Sequence, residues 1–453
     1  MKDLLKATTE HALQYLDSLQ SRRVAPDPEA VANLKSFDVA LPREGTAPSA
    51  VIDELDRLGR PATMAMPGPR FFGFVIGGSL PAALAANWLV SAWDQNTGLY
   101  NSTPATSYIE EIALKWLIDL LGLPPHTAGA FVSGTSVAHV TALAAARHSV
   151  LERAGWDVES DGLFGAPPVS VIIGQEAHPT LHKALGIIGF GRKRVIEVAA
   201  DSQGRMQVAK IPRVSGPAVI CVQAGNVNTG SFDAISDACD AAEEIGAWVH
   251  VDGAFGLWAN AAPTHAHLVA GVERADSWAT DGHKWLNVPY DSGIAFVRDA
   301  KALRAAMSIS AEYLPHESEH RNPSDFTPEL SRRGRGVDIW AALKSLGRRG
   351  VTEMIERHCR QARRFAEGLS AAGFEILNDV VLNQVLVSFG TAEETQRVIA
   401  GIQEDGTCWC GGTVWQGRTA MRISVISWNT TDADVELSLR AMIHVANALR
   451  RSE

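Results

Sequence analysis

Asp252 closes the apolar run Ala247-Trp248-Val249-His250-Val251, and Lys284 stands in Thr280-Asp281-Gly282-His283-Lys284-Trp285, just beyond a weaker apolar run at 275–280. A carboxylate and an amine in one crevice need be nothing more than an ion pair. If both runs are strands of one parallel sheet, however, both residues lie beyond strand carboxyl ends, where such sheets gather their ligands. One cofactor asks for both groups there. Pyridoxal phosphate is held as a Schiff base on a lysine, while an acid pairs with its pyridinium nitrogen and keeps the ring an electron sink.

Three further stretches carry groups of use to such a cofactor. Ser133-Gly134-Thr135-Ser136 precedes an Ala-rich helical run at 137–151. Small and hydroxyl residues at a helix start leave backbone N–H groups free and add side-chain donors, which suits a phosphate; they serve equally as a plain N-cap. His178 ends the loop Gly174-Gln175-Glu176-Ala177-His178, and Asn226 lies in Ala224-Gly225-Asn226-Val227-Asn228-Thr229-Gly230. Both loops follow apolar runs and so fall at strand ends. Taken singly, His178 reads as a loop histidine, Asp252 as a strand-end cap and Lys284 as a solvated lysine. Their order along the chain is what points to one site.

The elements that must position these groups alternate. Apolar runs at 169–173, 194–198, 218–222 and 247–251 are separated by helical stretches, which predicts an α/β fold with a mostly parallel sheet between helices. Upstream, residues 4–58 show helical periodicity broken by Pro26, Pro28, Pro42 and Pro48, an arm that packs on another body such as a second subunit. Pro69-Arg70-Phe71-Phe72-Gly73-Phe74 and Gly77-Gly78-Ser79 lead into an apolar helix over 80–93; the clustered phenylalanines either plug the core or wall a pocket. Another helix is expected over 109–121, ended by Pro124-Pro125. Residues 308–335 are polar and hold Pro315, Pro323 and Pro328, the pattern of a long functional loop. Helices follow over 337–346 and 352–371, then a smaller α+β lobe alternating at 380–389, 392–404, 421–426 and 432–449. The expected division is an N-terminal arm at 1–75, a large domain at 76–310, and a loop with a small C-terminal domain at 311–453.

Composition narrows the partners. With 453 residues, 46% of them hydrophobic, the chain can bury a large core in two or three lobes. A net charge of -10 argues against a nucleic-acid partner, and the densest basic cluster, Arg332, Arg333 and Arg335, is too small to reverse that. The start of the chain lacks the apolar core of a secretory signal, and no run of about 18 uncharged apolar residues would cross a membrane. Five cysteines in apolar or helical segments fit a reducing cytoplasm. Cys408-Trp409-Cys410 has no second Cys or His pair nearby, so no metal is expected.

A helix-start phosphate cradle, a loop histidine, an aspartate at a strand end and then His-Lys-Trp is the order found in pyridoxal-phosphate enzymes of the aspartate aminotransferase fold, fold type I. Over most of its length, from about Pro69 to the helix after Asp432, the chain resembles the group II amino acid decarboxylases. The resemblance implies a seven-stranded sheet, a homodimer with its sites at the subunit interface, and pyridoxal 5'-phosphate as cofactor. It makes Lys284 the lysine that carries the cofactor and His283 a phosphate contact, with Thr135 and Ser136 at the phosphate-binding positions. His178 is similar to the histidine stacked on the ring, Asp252 to the pyridinium partner, Ala254 to the small residue on the opposite ring face, and Asn226 to a residue near the cofactor.

Which bond breaks is not fixed by the fold. In the family a loop tyrosine donates the proton that replaces the carboxylate, and Ser310-Ala311-Glu312-Tyr313-Leu314-Pro315 is similar to that loop; tyrosine rather than phenylalanine there favours amine over aldehyde. Decarboxylation of an L-amino acid is therefore expected. Phe74 and Trp93 lean toward an aromatic or bulky apolar side chain, and Arg422 stands where enzymes of this fold hold the substrate carboxylate. The alternatives are an aldolase, an aminotransferase, or a binding protein that kept the fold and lost the chemistry.

Overall fold

The computed structural model describes residues 1–309 and 320–451. The chain forms two compact units, one of Met1–Gly78, Arg364–Leu377 and Leu386–Glu453, the other of Ser79–Arg363 and Asn378–Val385.

The second unit is built on a seven-stranded sheet. Its strands in chain order are β1 (Ala128–Val132), β2 (Ser170–Gly174), β3 (Val195–Val198), β4 (Ala218–Gln223), β5 (Trp248–Asp252), β6 (Ser277–Asp281) and β7 (Gly293–Val297), and across the sheet they lie as β1-β7-β6-β5-β4-β2-β3. From β3 to β6 the neighbours pair in parallel, and β7 runs against both of its neighbours. The alternation in the sequence thus forms the mostly parallel sheet it predicts. Every residue of β4 and β5 is buried, which is why they read as unbroken apolar runs: with both faces covered, a strand has no polar side to show. His250 and Asp252 are the exceptions in β5.

The Ala-rich helix runs Thr135–Glu152 and packs on β5, β6 and β7 through small side chains, with Ala138, Ala142 and Ala145 fully buried. The helix expected over 109–121 starts earlier, at Pro104, since proline is tolerated in a first turn. The two helices expected after residue 336 form one segment, Gly336–Ala371, broken at Gly347, whose φ of 62° suits only a residue without Cβ. The basic cluster is not a surface patch. Arg332 is buried and donates to both oxygens of Glu110, at 2.8 and 3.0 Å, and to the carbonyls of Thr97 and Phe131, while Arg335 pairs with Asp291.

A four-stranded sheet is formed by β8 (Glu375–Ile376), β9 (Gln384–Ser388), β10 (Gly411–Trp415) and β11 (Arg418–Ser424), in the order β10-β11-β9-β8; all of it but Gln384 and Val385 belongs to the first unit, which also carries helices Ala392–Asp405 and Asp432–Arg451. Its N-terminal helices include Pro28–Ala32 and Pro48–Gly59, each opening on one of the prolines that break the periodicity.

Candidate active site

β5 and β6 are parallel neighbours with Asp252 opposite Ala279, and Lys284 follows the end of β6. Asp252 is buried. Its Oδ1 accepts from the N–H of Ala254 at 3.1 Å, and its Oδ2 faces His139 Nε2 at 3.5 Å, an electrostatic contact short of a formed hydrogen bond. Burial pushes the carboxyl pKa up, but the neighbouring His139, His178 and Lys284 outweigh it and hold the group below the usual carboxylate range. Such an acid stays ionised at any working pH, as a partner for a pyridinium must. Lys284 Nζ lies 5.8 Å from the centroid of the Phe255 ring.

His178 is the N-cap of the helix Pro179–Ile187. Its Nδ1 accepts from the N–H of Thr180 at 3.3 Å and meets the Thr180 hydroxyl at 2.7 Å. A neutral ring that accepts at Nδ1 carries its proton on Nε2, so this cap fixes both orientation and tautomer. His178 and Asp252 line one cavity together with Gly174, Glu176, Gln223 and Asp233. Asp233 accepts from the N–H groups of Met206 and Gln223, both at 2.7 Å, and burial still pushes its pKa up to about 6. The Ala254 carbonyl accepts from the Asp281 N–H at 3.2 Å, tying the ends of β5 and β6 together. A second cavity, walled by Trp116, Leu120, Leu343 and Arg348, gathers no comparable set of groups.

The start of the Thr135–Glu152 helix sits beside this crevice. Gly134 O accepts from Val137 and Ala138, which leaves the earlier N–H groups facing outward. Thr135 N–H and its hydroxyl reach Asp281 Oδ2 at 3.4 and 3.2 Å, and Ser136 N–H has no acceptor among the described residues. Backbone closes in tightly here: a Cβ on Gly293 would lie 2.3 Å from the Gly134 carbonyl carbon. His283 Nδ1–H donates to the Val288 carbonyl at 2.6 Å, while its Nε2 is buried without a partner and burial pushes its pKa down to about 4. An unpartnered buried nitrogen next to loosely held helix-start donors suits an anion. A phosphate, the group the sequence resemblance assigns to Thr135, Ser136 and His283, fits such a set of donors.

The remaining candidates are placed differently. Asn226 is buried, but its Oδ1 accepts from the N–H groups of Asn228 and Thr229 and its Nδ2 donates to Gln223 Oε1, so its amide organises its own loop. Phe71 and Phe72 are core residues, whereas Phe74, with φ of 53°, is 54% exposed and stacks on Trp409. Trp93 ends the helix Pro81–Trp93 and is 43% exposed. Arg422 is half-buried on β11, where burial lowers its pKa. Phe71, Phe72, Phe74, Trp409 and Arg422 belong to the first unit, Trp93 and the residues of the crevice to the second. Tyr313 lies outside the described residues. Two residues of the crevice escape a sequence reading: Asp281 and His139. His139 follows Thr135 by four positions, one helical turn, and that spacing was the available signal.

The pyridoxal-dependent decarboxylase conserved domain matches residues 28–391. An aromatic-L-amino-acid decarboxylase of Bacillus atrophaeus is 24% identical over 457 residues, covering 96% of this chain and 93% of its own. Tryptophan decarboxylase 1 of Oryza sativa subsp. japonica is 27% identical, with 94% and 89% covered. The crystal structure of Oryza sativa TDC with PLP and tryptamine superposes with a TM-score of 0.92 at 22% identity, covering 99% of this chain and 98% of that one, a likeness of fold. The chain belongs to the pyridoxal-dependent decarboxylases, enzymes whose cofactor is pyridoxal phosphate.

Proposed function

We propose that the enzyme decarboxylates an L-amino acid with an aromatic or bulky apolar side chain, releasing the amine and carbon dioxide. The observation that carries this reading is Asp252, buried at the end of β5, with Lys284 just beyond the end of the neighbouring strand β6. When bound, pyridoxal phosphate supplies the electron sink that takes up the pair from the bond broken at Cα. Lys284 holds the aldehyde end, and Thr135, Ser136 and His283 hold the phosphate. Asp252 keeps a proton on the ring nitrogen. The capped ring of His178 would cover one face of the cofactor and Ala254 the other, while Asn226 sets the neighbouring loop. Tyr313 is the acid that returns a proton to Cα after carbon dioxide leaves. Phe74 and Trp93 are the candidates for choosing the substrate side chain, and Arg422 for recognising its carboxylate. Two of the relatives named above act, by name, on aromatic amino acids, which supports that substrate class.

The active species in this reading is a cytoplasmic homodimer with its sites at the subunit interface. Exposed Trp88, Leu89 and Trp93 on one helix, and Leu5, Leu13 and Leu55 on the N-terminal helices, are apolar surface suited to a second copy. All five cysteines are free and buried, and among the described residues no helix is long and apolar enough to cross a membrane.

A panel of amino acids, read by product mass, tests the reaction. Equal amounts of amine and carbon dioxide are expected from aromatic members. Release from none of them overturns the proposal; a keto acid with the cofactor left in its amine form, or glycine from a β-hydroxy amino acid, replaces it with an aminotransferase or an aldolase.

A further inference from the structure

Behind Asp252 runs a line of buried polar groups that the reaction as described does not use. Trp248 Nε1–H donates to Ser277 Oγ at 2.8 Å, Ser277 Oγ meets His250 Nδ1 at 2.9 Å, His250 Nε2 meets His139 Nδ1 at 2.9 Å, and His139 Nε2 stands 3.5 Å from Asp252 Oδ2. His139, His250 and Ser277 are fully buried. Groups so placed must satisfy one another, because water cannot.

Chemistry fixes the direction of each bond. An indole N–H only donates, so Ser277 Oγ accepts from Trp248, and the acceptor open to its own hydroxyl proton is His250 Nδ1. A neutral imidazole that accepts at one nitrogen carries its proton on the other. His250 Nε2–H therefore donates to His139 Nδ1, which leaves the His139 proton on Nε2, the nitrogen 3.5 Å from Asp252 Oδ2. A doubly protonated His139 would turn His250 round and leave the Ser277 hydroxyl proton without an acceptor among the described residues. Burial, which drives the His250 pKa down to about 3, agrees with a neutral ring there.

We propose that Ser277, His250 and His139 are positioning residues, a one-way donor relay that holds Asp252 ionised and aimed at the ring nitrogen of the cofactor. The proposal rests on the cofactor reading above. Asp252 is also faced by His178 from the neighbouring helix start, by Lys284 beyond β6, and by Asp233 and Cys221 from the β4 side. His178 and Lys284 are partly exposed, so water screens them; the donor of His139 is sealed, and water cannot replace it. Thr135 and His139 lie on one helix about 6 Å apart along its axis. A single element thus serves the phosphate end with its first turn and the nitrogen end with its second.

The test is the pyridoxal phosphate dissociation constant from pH 5 to 8 for wild type, His139→Phe and His139→Gln. Phenylalanine keeps a ring and deletes the donor; glutamine restores an N–H. The relay keeps the folded Asp252 pKa below this pH range, so the wild-type carboxylate stays ionised throughout it. Deleting it raises that value, so the ratio of variant to wild-type dissociation constants grows as pH falls, by about tenfold per pH unit where Asp252 titrates, and glutamine reverses the effect. A ratio constant with pH, or no change at all, overturns the relay. Should His139→Phe not fold, neutron diffraction of the wild type decides: deuterium on Nε2 of both histidines is expected, and deuterium on His139 Nδ1 overturns the wiring. Wild-type protein that takes up no cofactor at any pH contradicts the cofactor reading, and the neutron map still decides the relay.

Discussion

Each charged group of the crevice has its state set by what surrounds it, and the two carboxylates differ accordingly. Asp252 is held ionised by His139, His178 and Lys284 against its burial. Asp281 is pushed up to about 6 by burial, in spite of Lys284 and the donors of His283 and Thr135. Above that pH Asp281 is an anion within the proposed phosphate cradle, bonded to the Thr135 donors that a phosphate would use. Asp281→Asn is therefore expected to bind inorganic phosphate more tightly at pH 7.5, on the order of tenfold. The difference should disappear below pH 5, where the wild-type carboxyl is protonated, and calorimetry of the apoprotein measures both. Tyr313→Phe is expected to slow amine release by about 10²–10⁴-fold, the usual worth of a general acid, in a steady-state amine assay. Lys284, Asp252 and His178 were legible because their spacing follows strand ends. Asp281 and His139 were not: an acid two residues before a histidine reads as a loop cap, and a lone histidine in an Ala-rich helix reads as packing, until the fold turns both toward one crevice.

The elements explain how these side chains reach each other. β5 and β6 deliver Asp252 and Lys284 to one end of the sheet, the Thr135–Glu152 helix brings its first turn to the same end, and β7 presses its first residue on the loop before that helix. β4 and β5 were readable as unbroken apolar runs. β7 was not, because Gly293-Ile294-Ala295-Phe296-Val297 is too short to show a period, and its place beside β1 depends on pairing across the chain. That pairing is also where the cradle is most sensitive. In Gly293→Ala the new Cβ would meet the Gly134 backbone, so either the strand or the cradle must move. The expected cost is about 1–3 kcal/mol of stability, as for other overpacked sites, together with weaker phosphate binding. Denaturant unfolding and phosphate titration of the same variant check both parts.

At the scale of the molecule, the part of residues 308–335 that the structure describes is fastened rather than loose. Arg332 and Glu110 form a buried, doubly bonded ion pair, and Gly336 N–H adds a third donor to the same carboxylate. Composition could not show this, since three arginines in a row of four look like surface charge. Arg332→Ala leaves Glu110 buried and unpaired, and is expected to cost about 3–5 kcal/mol in denaturant unfolding; a cost under 1 kcal/mol would mean that water reaches the carboxylate. Homodimerisation and substrate choice belong to this scale as well, and neither is written in any short motif. The central claim is narrower: Lys284 and Asp252 hold the two ends of one pyridoxal phosphate. Its most direct measurement is borohydride reduction of the reconstituted enzyme, followed by proteolysis and mass mapping of the modified lysine. The account predicts one phosphopyridoxyl group per chain, on Lys284, and none after Lys284→Ala. A group found on Lys183, Lys344 or another lysine, or no stable modification in the wild type, would contradict it.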